Sequence, residues 1–166
     1  MTARTLVVLR HAKAESPDHL ADIDRPLTQR GHADAAAAGA WLAAQGLRPD
    51  LVLCSPARRT RETWHGVRVA LGPPSAEAVF EIGLYEAGVP QSISLVNGVS
   101  PDVGCVLLIG HNPTVTLLST LLDPGTEVAE GLRTGGLAVH RLDGDWTDFA
   151  GGTAPLTGTH TARAAV

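Results

Sequence analysis

The sequence places arginine and histidine residues directly after apolar runs, where their side chains could serve one site. The run "TLVVL" at 5–9 leads into Arg10 and His11, and the run "VLLIG" at 106–110 leads into His111. A further apolar run ends in "CSPARRTRET" at 54–63, which contains Arg58, Arg59 and Arg61. Guanidinium groups donate paired hydrogen bonds to phosphate oxygens, and a neutral imidazole can attack phosphorus. Together these residue types favour a site for a dianionic phosphoryl group.

Segments with strand and helix patterns alternate along the chain, and this alternation predicts where the charged residues meet. Strands are predicted at 5–10, 50–54, 78–82 and 104–110, and helices at 27–46, 57–71, 90–99 and 113–122. The alternation is typical of an α/β fold, with a single-domain, mostly parallel central sheet and helices on both faces. In such sheets, ligands bind beyond the carboxyl ends of the strands, which is where these arginines and histidines lie.

Helix-capping signals support this arrangement. Thr28 is the expected N-cap of the first helix, and Gly46 marks its C-terminal end. Ser55-Pro56 and Asn112-Pro113 each have the form of an N-cap followed by proline at the first helical position. Two helix N-termini would then present backbone N–H groups at one edge of the sheet, where they favour an anion.

The C-terminal part of the chain predicts a hairpin and a tail. Residues 135–152 predict two strands joined at Asp143-Gly144, a dipeptide suited to a tight turn. The residues after Gly152 carry little pattern. We therefore expect one domain at 1–153 and a surface tail at 154–166.

The order of these motifs resembles that of the histidine phosphatase superfamily, also called the phosphoglycerate mutase-like family. Arg10-His11 is similar to its signature after the first strand, with Ala12 where many members have glycine, and "GHNP" at 110–113 matches the segment of its second histidine. "SPARRTRET" resembles a segment in which a serine is followed four residues later by the second phosphate-binding arginine, which selects Arg59. The segments similar to the SixA-like phosphohistidine phosphatase branch are "DIDRPLTQRG" at 22–31, "LYEA" at 84–87 and "RTGGLAVHRLDGDW" at 133–146.

The resemblance implies a metal-independent phosphatase with the phosphoglycerate mutase-like fold and no large lid insertion. His11 would be the nucleophile that forms a phosphohistidine intermediate, and Arg10, Arg59 and His111 would bind the phosphoryl group. Neither a metal nor a cofactor is expected, since arginines and helix ends supply the positive charge. The favoured substrate is phosphohistidine on a protein. The alternatives are a small-molecule phosphomonoesterase of the same superfamily and a non-catalytic phosphate-binding module.

Two further residues leave alternatives open. Glu86 is the candidate proton donor to an alcohol leaving group, and the alternative is that it is a solvent-exposed loop carboxylate. Arg25, in "DRPLT", either contacts the substrate or braces the loop that follows His11. A nitrogen leaving group departs readily once protonated, so the weak signal for an acid favours a phosphohistidine substrate.

The composition limits which partners and which cellular compartment are expected for this chain. The chain has 166 residues, of which 44% are hydrophobic and 18% charged, as expected for one folded domain. A net charge of −4 gives no general attraction for nucleic acid or for an anionic membrane, so neither is expected as a partner. The apolar run at 6–9 is far too short to span a membrane. Cys54 and Cys105 lie in apolar runs, which favours reduced thiols in a cytoplasmic protein.

Overall fold

The computed structural model describes residues 3–125 and 131–165, and these residues form a six-stranded sheet. Its strands are β1 (Ala3–Arg10), β2 (Leu51–Cys54), β3 (Glu77–Phe80), β4 (Cys105–Gly110), β5 (Gly136–Asp143) and β6 (Leu156–Thr161). Their order is β3-β2-β4-β1-β5-β6. The first four strands of that order run parallel, and β5 and β6 are antiparallel to their neighbours. The predicted mostly parallel sheet is confirmed.

Helices cover both faces of this sheet, as predicted. The helices of the described residues are α1 (Gln29–Ala44), α2 (Arg58–Leu71), α3 (Gly83–Glu86), α4 (Val89–Asn97) and α5 (Thr114–Leu122). Within the described ranges, no helix combines the length and the apolar composition needed to cross a membrane.

Alternate side chains of β1 enter two different cores. Val7 and Leu9 pack with buried residues of α1 and α2, whereas Leu6 and Val8 pack with buried residues of α4 and α5. Successive side chains of a strand point to opposite faces, so a strand buried on both faces needs an uninterrupted apolar run. This requirement explains "LVVL" and leaves Arg10 as the first residue of β1 able to serve a site at the sheet edge.

The predicted ends of the first helix are confirmed. The Thr28 hydroxyl accepts a hydrogen bond from the Gly31 backbone N–H at 2.9 Å, as an N-cap does. At the other end, Gly46 has a φ of +70° and donates to the Ala43 carbonyl, and the next N–H donates to the carbonyl of Leu42. This pair of bonds is a Schellman motif, in which glycine adopts the left-handed conformation that ends the helix.

The hairpin predicted at the C-terminal end is wrong. Residues 146–148 form a short 3-10 helix instead of a strand, and Trp146 is buried there. The indole stacks on Phe149 with ring centroids 5.1 Å apart, and its Nε1 donates to the Val103 carbonyl at 2.7 Å. Burial of this large ring against the loop before β4 turns the chain away from a tight hairpin.

The antiparallel partner of β5 is β6, which lies in the segment expected as a surface tail. Ala162, directly after β6, is fully buried, and the Ala164 N–H donates to the Asp34 carboxylate at 2.8 Å. The expected boundary at residue 153 therefore precedes a strand that belongs to the sheet.

The parallel strands end together at one edge. The His11 N–H donates to the Gly110 carbonyl at 3.1 Å, and the Ser55 N–H donates to the Ile109 carbonyl at 3.0 Å. These two bonds continue the β1–β4 and β2–β4 pairings by one residue. As a result, His11, Ser55 and His111 follow three adjacent strands at the same edge of the sheet.

Candidate active site

His11 is held with one ring nitrogen available for chemistry. Its side chain is buried, and its Nδ1 lies 2.7 Å from the Ala12 carbonyl oxygen. A carbonyl can only accept, so Nδ1 carries the proton and Nε2 of the neutral ring carries the lone pair. Burial lowers the pKa of His11 to about 4; the bond to Ala12 opposes this shift, and the charges of Arg59 and Arg10 add to it. At neutral pH the ring is therefore uncharged and nucleophilic.

His111 lies beside His11, with the two ring centroids 5.3 Å apart. Its Nε2 is 2.7 Å from the hydroxyl oxygen of Ser55, which is itself fully buried. Burial, followed by the positive charge of Arg59, lowers the pKa of His111 to about 3. The ring is therefore neutral in this state, and the negative charge of a phosphoryl group would favour its protonation.

The expected N-caps Ser55 and Asn112 are wrong. α2 begins at Arg58 and α5 at Thr114, so their N-caps are two residues and one residue later than predicted. Ser55 contacts His111 instead, and the Asn112 side chain donates to the Leu132 carbonyl at 2.7 Å. Both side chains hold the loops of the site in place rather than starting a helix.

Arg10 is anchored by the segment that precedes β5. Its Nη1 donates to the Leu132 carbonyl at 3.1 Å, and the Gly135 N–H donates to the carbonyls of both Arg10 and His11. Burial, and then the nearby charge of Arg59, lower the pKa of Arg10, although the group stays charged at working pH. The Leu132 carbonyl thus accepts hydrogen bonds from both Arg10 and Asn112, and so links β1 to the loop after His111.

Arg59 is the arginine of α2 that enters the site. It is only 5% exposed, whereas Arg58 and Arg61 are exposed. Arg58 pairs with Glu62 at 3.3 Å, and Arg61 donates to the Pro56 carbonyl at 2.9 Å. The structure therefore places the selected arginine, and not its neighbours, beside the two histidines.

Two further residues of this cluster, Asp22 and Tyr85, were not predicted from the sequence. The Asp22 Oδ2 accepts hydrogen bonds from Arg59 Nη2 at 3.1 Å and from the Tyr85 hydroxyl at 2.6 Å. The ring of Tyr85 also lies edge-on to His111, with centroids 5.5 Å apart. The bond from Tyr85, then those from Arg59 and Arg25, lower the pKa of Asp22 to about 2 against the raising effect of partial burial.

The two residues with open alternatives lie at the rim. Glu86 is exposed at the end of α3, and its neighbour Tyr85 is the residue of that turn that contacts the cluster. Arg25 donates to the Glu15 carbonyl at 3.1 Å and to the Ser16 hydroxyl at 2.8 Å, and so braces the loop after His11. A role for Glu86 in proton transfer, and a contact of Arg25 with substrate, stay predictions.

Three buried side-chain nitrogens of this cluster have no hydrogen-bond partner in the described part of the chain. They are Arg10 Nε, Arg59 Nε and His111 Nδ1. An unsatisfied buried polar atom is costly, so such atoms mark a place where a polar ligand is expected. The anionic oxygens of a phosphoryl group can accept from the two arginine nitrogens, and from His111 Nδ1 when that nitrogen carries a proton. The arrangement can therefore bind a phosphoryl group next to a neutral imidazole.

The described residues contain no cluster of metal ligands. Within residues 3–125 and 131–165, no three histidine, cysteine, aspartate or glutamate side chains are grouped so that they could hold a metal ion. Metal-independent activity stays a prediction for experiment.

Known proteins similar to this chain include one described family and a full-length relative. The family model described as "Histidine phosphatase superfamily (branch 1)" matches residues 6–90. The uncharacterized protein Rv1276c of Mycobacterium tuberculosis (strain H37Rv) is 39% identical over 163 residues, covering 93% of this chain and 100% of its own.

Solved structures of SixA proteins superpose on most of this chain. A SixA protein from Nakamurella multipartitia, whose proposed activity is that of a phosphohistidine phosphatase, has a TM-score of 0.86 and 34% identity, covering 98% of each chain. The protein histidine phosphatase SixA in complex with tungstate has a TM-score of 0.80 and 26% identity, covering 95% of this chain and 96% of its own.

Proposed function

Because this chain belongs to the histidine phosphatase superfamily, we propose that it is a phosphatase that removes phosphate from phosphohistidine on a protein, with His11 as the nucleophile. The observation that carries the proposal is the state of His11: its Nδ1–H is committed to the Ala12 carbonyl, and its ring is uncharged at neutral pH. The resemblance to SixA proteins supports the choice of substrate.

The first step is a transfer between two imidazoles. His11 Nε2 forms a bond to phosphorus as the bond from phosphorus to the substrate nitrogen breaks. If the other ring nitrogen of the substrate is protonated, that imidazole departs neutral, and no protein acid is required. The bond formed is of the same kind as the bond broken, so the step needs positioning and charge stabilisation above all. Arg10, Arg59 and His111 would supply both through their donors.

The second step is hydrolysis of the intermediate. A water oxygen attacks phosphorus, the bond to His11 Nε2 breaks, and its electron pair returns to the ring. One water proton passes to solvent, and inorganic phosphate leaves. The Ala12 carbonyl keeps Nδ1 protonated throughout, so the ring returns to its starting tautomer.

The surface beside the cluster suits a protein substrate. A hollow of about 410 Å³ is lined by Lys13, two residues after His11, and by Thr134, next to the glycine that bonds the His11 carbonyl. Arg30, Arg163 and Asp34 also line it, and the Asp34 carboxylate lies 3.4 Å from Arg30 Nε and 3.7 Å from Arg163 Nη1. The exposed side chain of Lys13 could contact an acidic group near a phosphorylated histidine. The unpaired cysteines Cys54 and Cys105 support a cytoplasmic location.

The proposal is tested by offering one preparation a phosphohistidine-bearing protein and a panel of sugar, nucleotide and aryl phosphates, with and without a strong chelator. We expect the highest kcat/KM for the phosphohistidine protein and no loss with the chelator. Faster turnover of an alcohol phosphate, together with a large loss in Glu86→Gln, would instead identify a small-molecule phosphomonoesterase. A loss restored by magnesium or zinc would contradict the metal-independent mechanism.

A further inference from the structure

The carboxylate of Asp22 is bound to the arginine that is expected to bind the phosphoryl group. Arg59 donates through Nη1 to the Asp22 backbone carbonyl at 2.8 Å and through Nη2 to Asp22 Oδ2 at 3.1 Å. Tyr85 donates to the same oxygen at 2.6 Å. A carboxylate oxygen is an anionic acceptor, as a phosphoryl oxygen is. The residue thus presents to Arg59 the chemistry of the expected ligand.

The occupation of Arg59 is incomplete. Its Nη2 lies on the same edge of the planar guanidinium as Nε, and Nε is buried without a partner in the described residues. Two oxygens of a phosphoryl group can accept from this edge together. Asp22 is bound through Nη1 and Nη2, so Nε and the second N–H of Nη2 stay available to phosphate, while the carboxylate competes for Nη2 and for the positive charge of the guanidinium.

The carboxylate has a second partner that can keep it after it leaves Arg59. Its other oxygen, Oδ1, accepts from Arg25 Nε at 3.0 Å, and Arg25 is itself anchored to Glu15 and Ser16. The Asp22 side chain is 55% exposed, so it can turn toward solvent with little loss of packing. The contacts of Oδ2 can therefore break while that of Oδ1 remains.

We propose that Asp22 is a built-in competitor of phosphate at Arg59, which weakens the binding of inorganic phosphate and so favours release of the product. The inference rests on the proposed function in that this site receives a phosphoryl group. A competitor weakens the binding of phosphate to Arg59, whereas a residue that only positions Arg59 would strengthen it. The two roles predict opposite changes in phosphate affinity.

The test is a titration of inorganic phosphate into the full chain by calorimetry, with no substrate present. Asp22→Asn removes the charge of the competitor, and we expect phosphate to bind roughly ten-fold more tightly, the size expected when one charge-assisted hydrogen bond no longer competes. Asp24→Asn is the matched control, because Asp24 and Asp22 lie in one 3-10 helix (Asp22–Asp24), Asp24 is exposed, and the substitution removes the same charge. Its phosphate affinity should stay within about two-fold, because solvent screens exposed charges.

A second variant separates the effect of a lost hydrogen bond to Asp22 from the effect of a lost charge. Tyr85→Phe deletes one hydrogen bond to Oδ2 without changing charge, and phosphate should again bind more tightly, by a smaller factor. Unchanged or weaker binding in Asp22→Asn, weaker binding in Tyr85→Phe, or an equal gain in Asp24→Asn would overturn the proposal. The readout is independent of turnover. If Asp22→Asn binds phosphate more tightly in a protein that does not hydrolyse phosphohistidine, the proposed function fails and this inference stands.

Discussion

Replacement of Arg59 by alanine should separate one arginine from its neighbours in α2. The Arg59 guanidinium is buried beside His11 and His111, and its charge lowers the pKa of both rings. Arg58 and Arg61 are exposed, and their recorded partners lie within the same segment of chain, at Glu62 and Pro56. The three substitutions remove the same charge from neighbouring positions and differ in burial and contacts.

The expected loss follows from the buried pair that Arg59 would form with phosphate. Truncating one partner of a buried, hydrogen-bonded charge pair costs about 2–5 kcal/mol, which corresponds to a roughly 30- to 5,000-fold fall in kcat/KM. An exposed pair four residues apart on a helix contributes about 0.3–0.5 kcal/mol, so Arg58→Ala should stay within about three-fold of wild type. Arg61→Ala should behave as Arg58→Ala does.

The assay is kcat/KM on a phosphohistidine protein for the three variants, with thermal unfolding to show that each is folded. Arg59→Lys is an informative fourth variant, because an ammonium keeps the charge but loses the paired donors of one guanidinium edge. It should recover only part of the loss. If Arg58→Ala proves the sensitive variant, or if all three lose activity alike, the assignment of the phosphate-binding arginine is refuted.

Three other predictions concern the supports of the site. The pKa of His11 measured by NMR should be about 4, and a midpoint at 6.5 would contradict the effect of burial. In the unfolded chain the pKa of histidine is about 6.5, so the unfolded state binds more protons than the folded state between these two values. The free energy of unfolding should therefore rise with pH across that window. Ser55→Ala should lower kcat by about two- to ten-fold, because a neutral hydrogen bond contributes about 0.5–1.5 kcal/mol, and a total loss would instead suggest Ser55 as nucleophile. Gly31→Ala should destabilise the protein by about 1–3 kcal/mol in urea unfolding, because its Cβ would clash with the Lys13 carbonyl oxygen. Gly158→Ala is the control, because a Cβ there meets no neighbouring atom, and equal stability of the two variants would contradict this expectation.

The sequence predicted the parts of the fold that have a clear period or cap. The buried strands β1, β2 and β4 are apolar runs of a length typical of parallel strands, and α1 has the cap residues Thr28 and Gly46. Because parallel strands end at a common edge, the convergence of Arg10, His11 and His111 could be predicted from these elements alone. The choice of Arg59 came from family resemblance, and its burial agrees with that choice.

The sequence did not predict features that depend on distant contacts. β6 reads "LTGTHT", in which Leu156 is the only aliphatic residue, so no apolar alternation predicts a strand there, and its pairing with β5 defines it. Asp22 and Tyr85 are 63 residues apart in the chain, and neither has a local pattern that links them. Both residues lie in segments that resemble the SixA-like branch: Asp22 begins "DIDRPLTQRG", and Tyr85 is part of "LYEA". In a single helical turn, neighbouring side chains point in different directions, so Tyr85 rather than Glu86 contacts the cluster.

The most direct test of the account is to identify the phosphorylated residue during turnover. The protein is mixed with a phosphohistidine substrate, quenched rapidly at alkaline pH and digested for peptide mass spectrometry. We expect an acid-labile, alkali-stable phosphate on His11, in the peptide that contains "LRHAKAE", and neither label nor turnover in folded His11→Ala. A label on His111, or an acid-stable label on Ser55, would contradict this assignment.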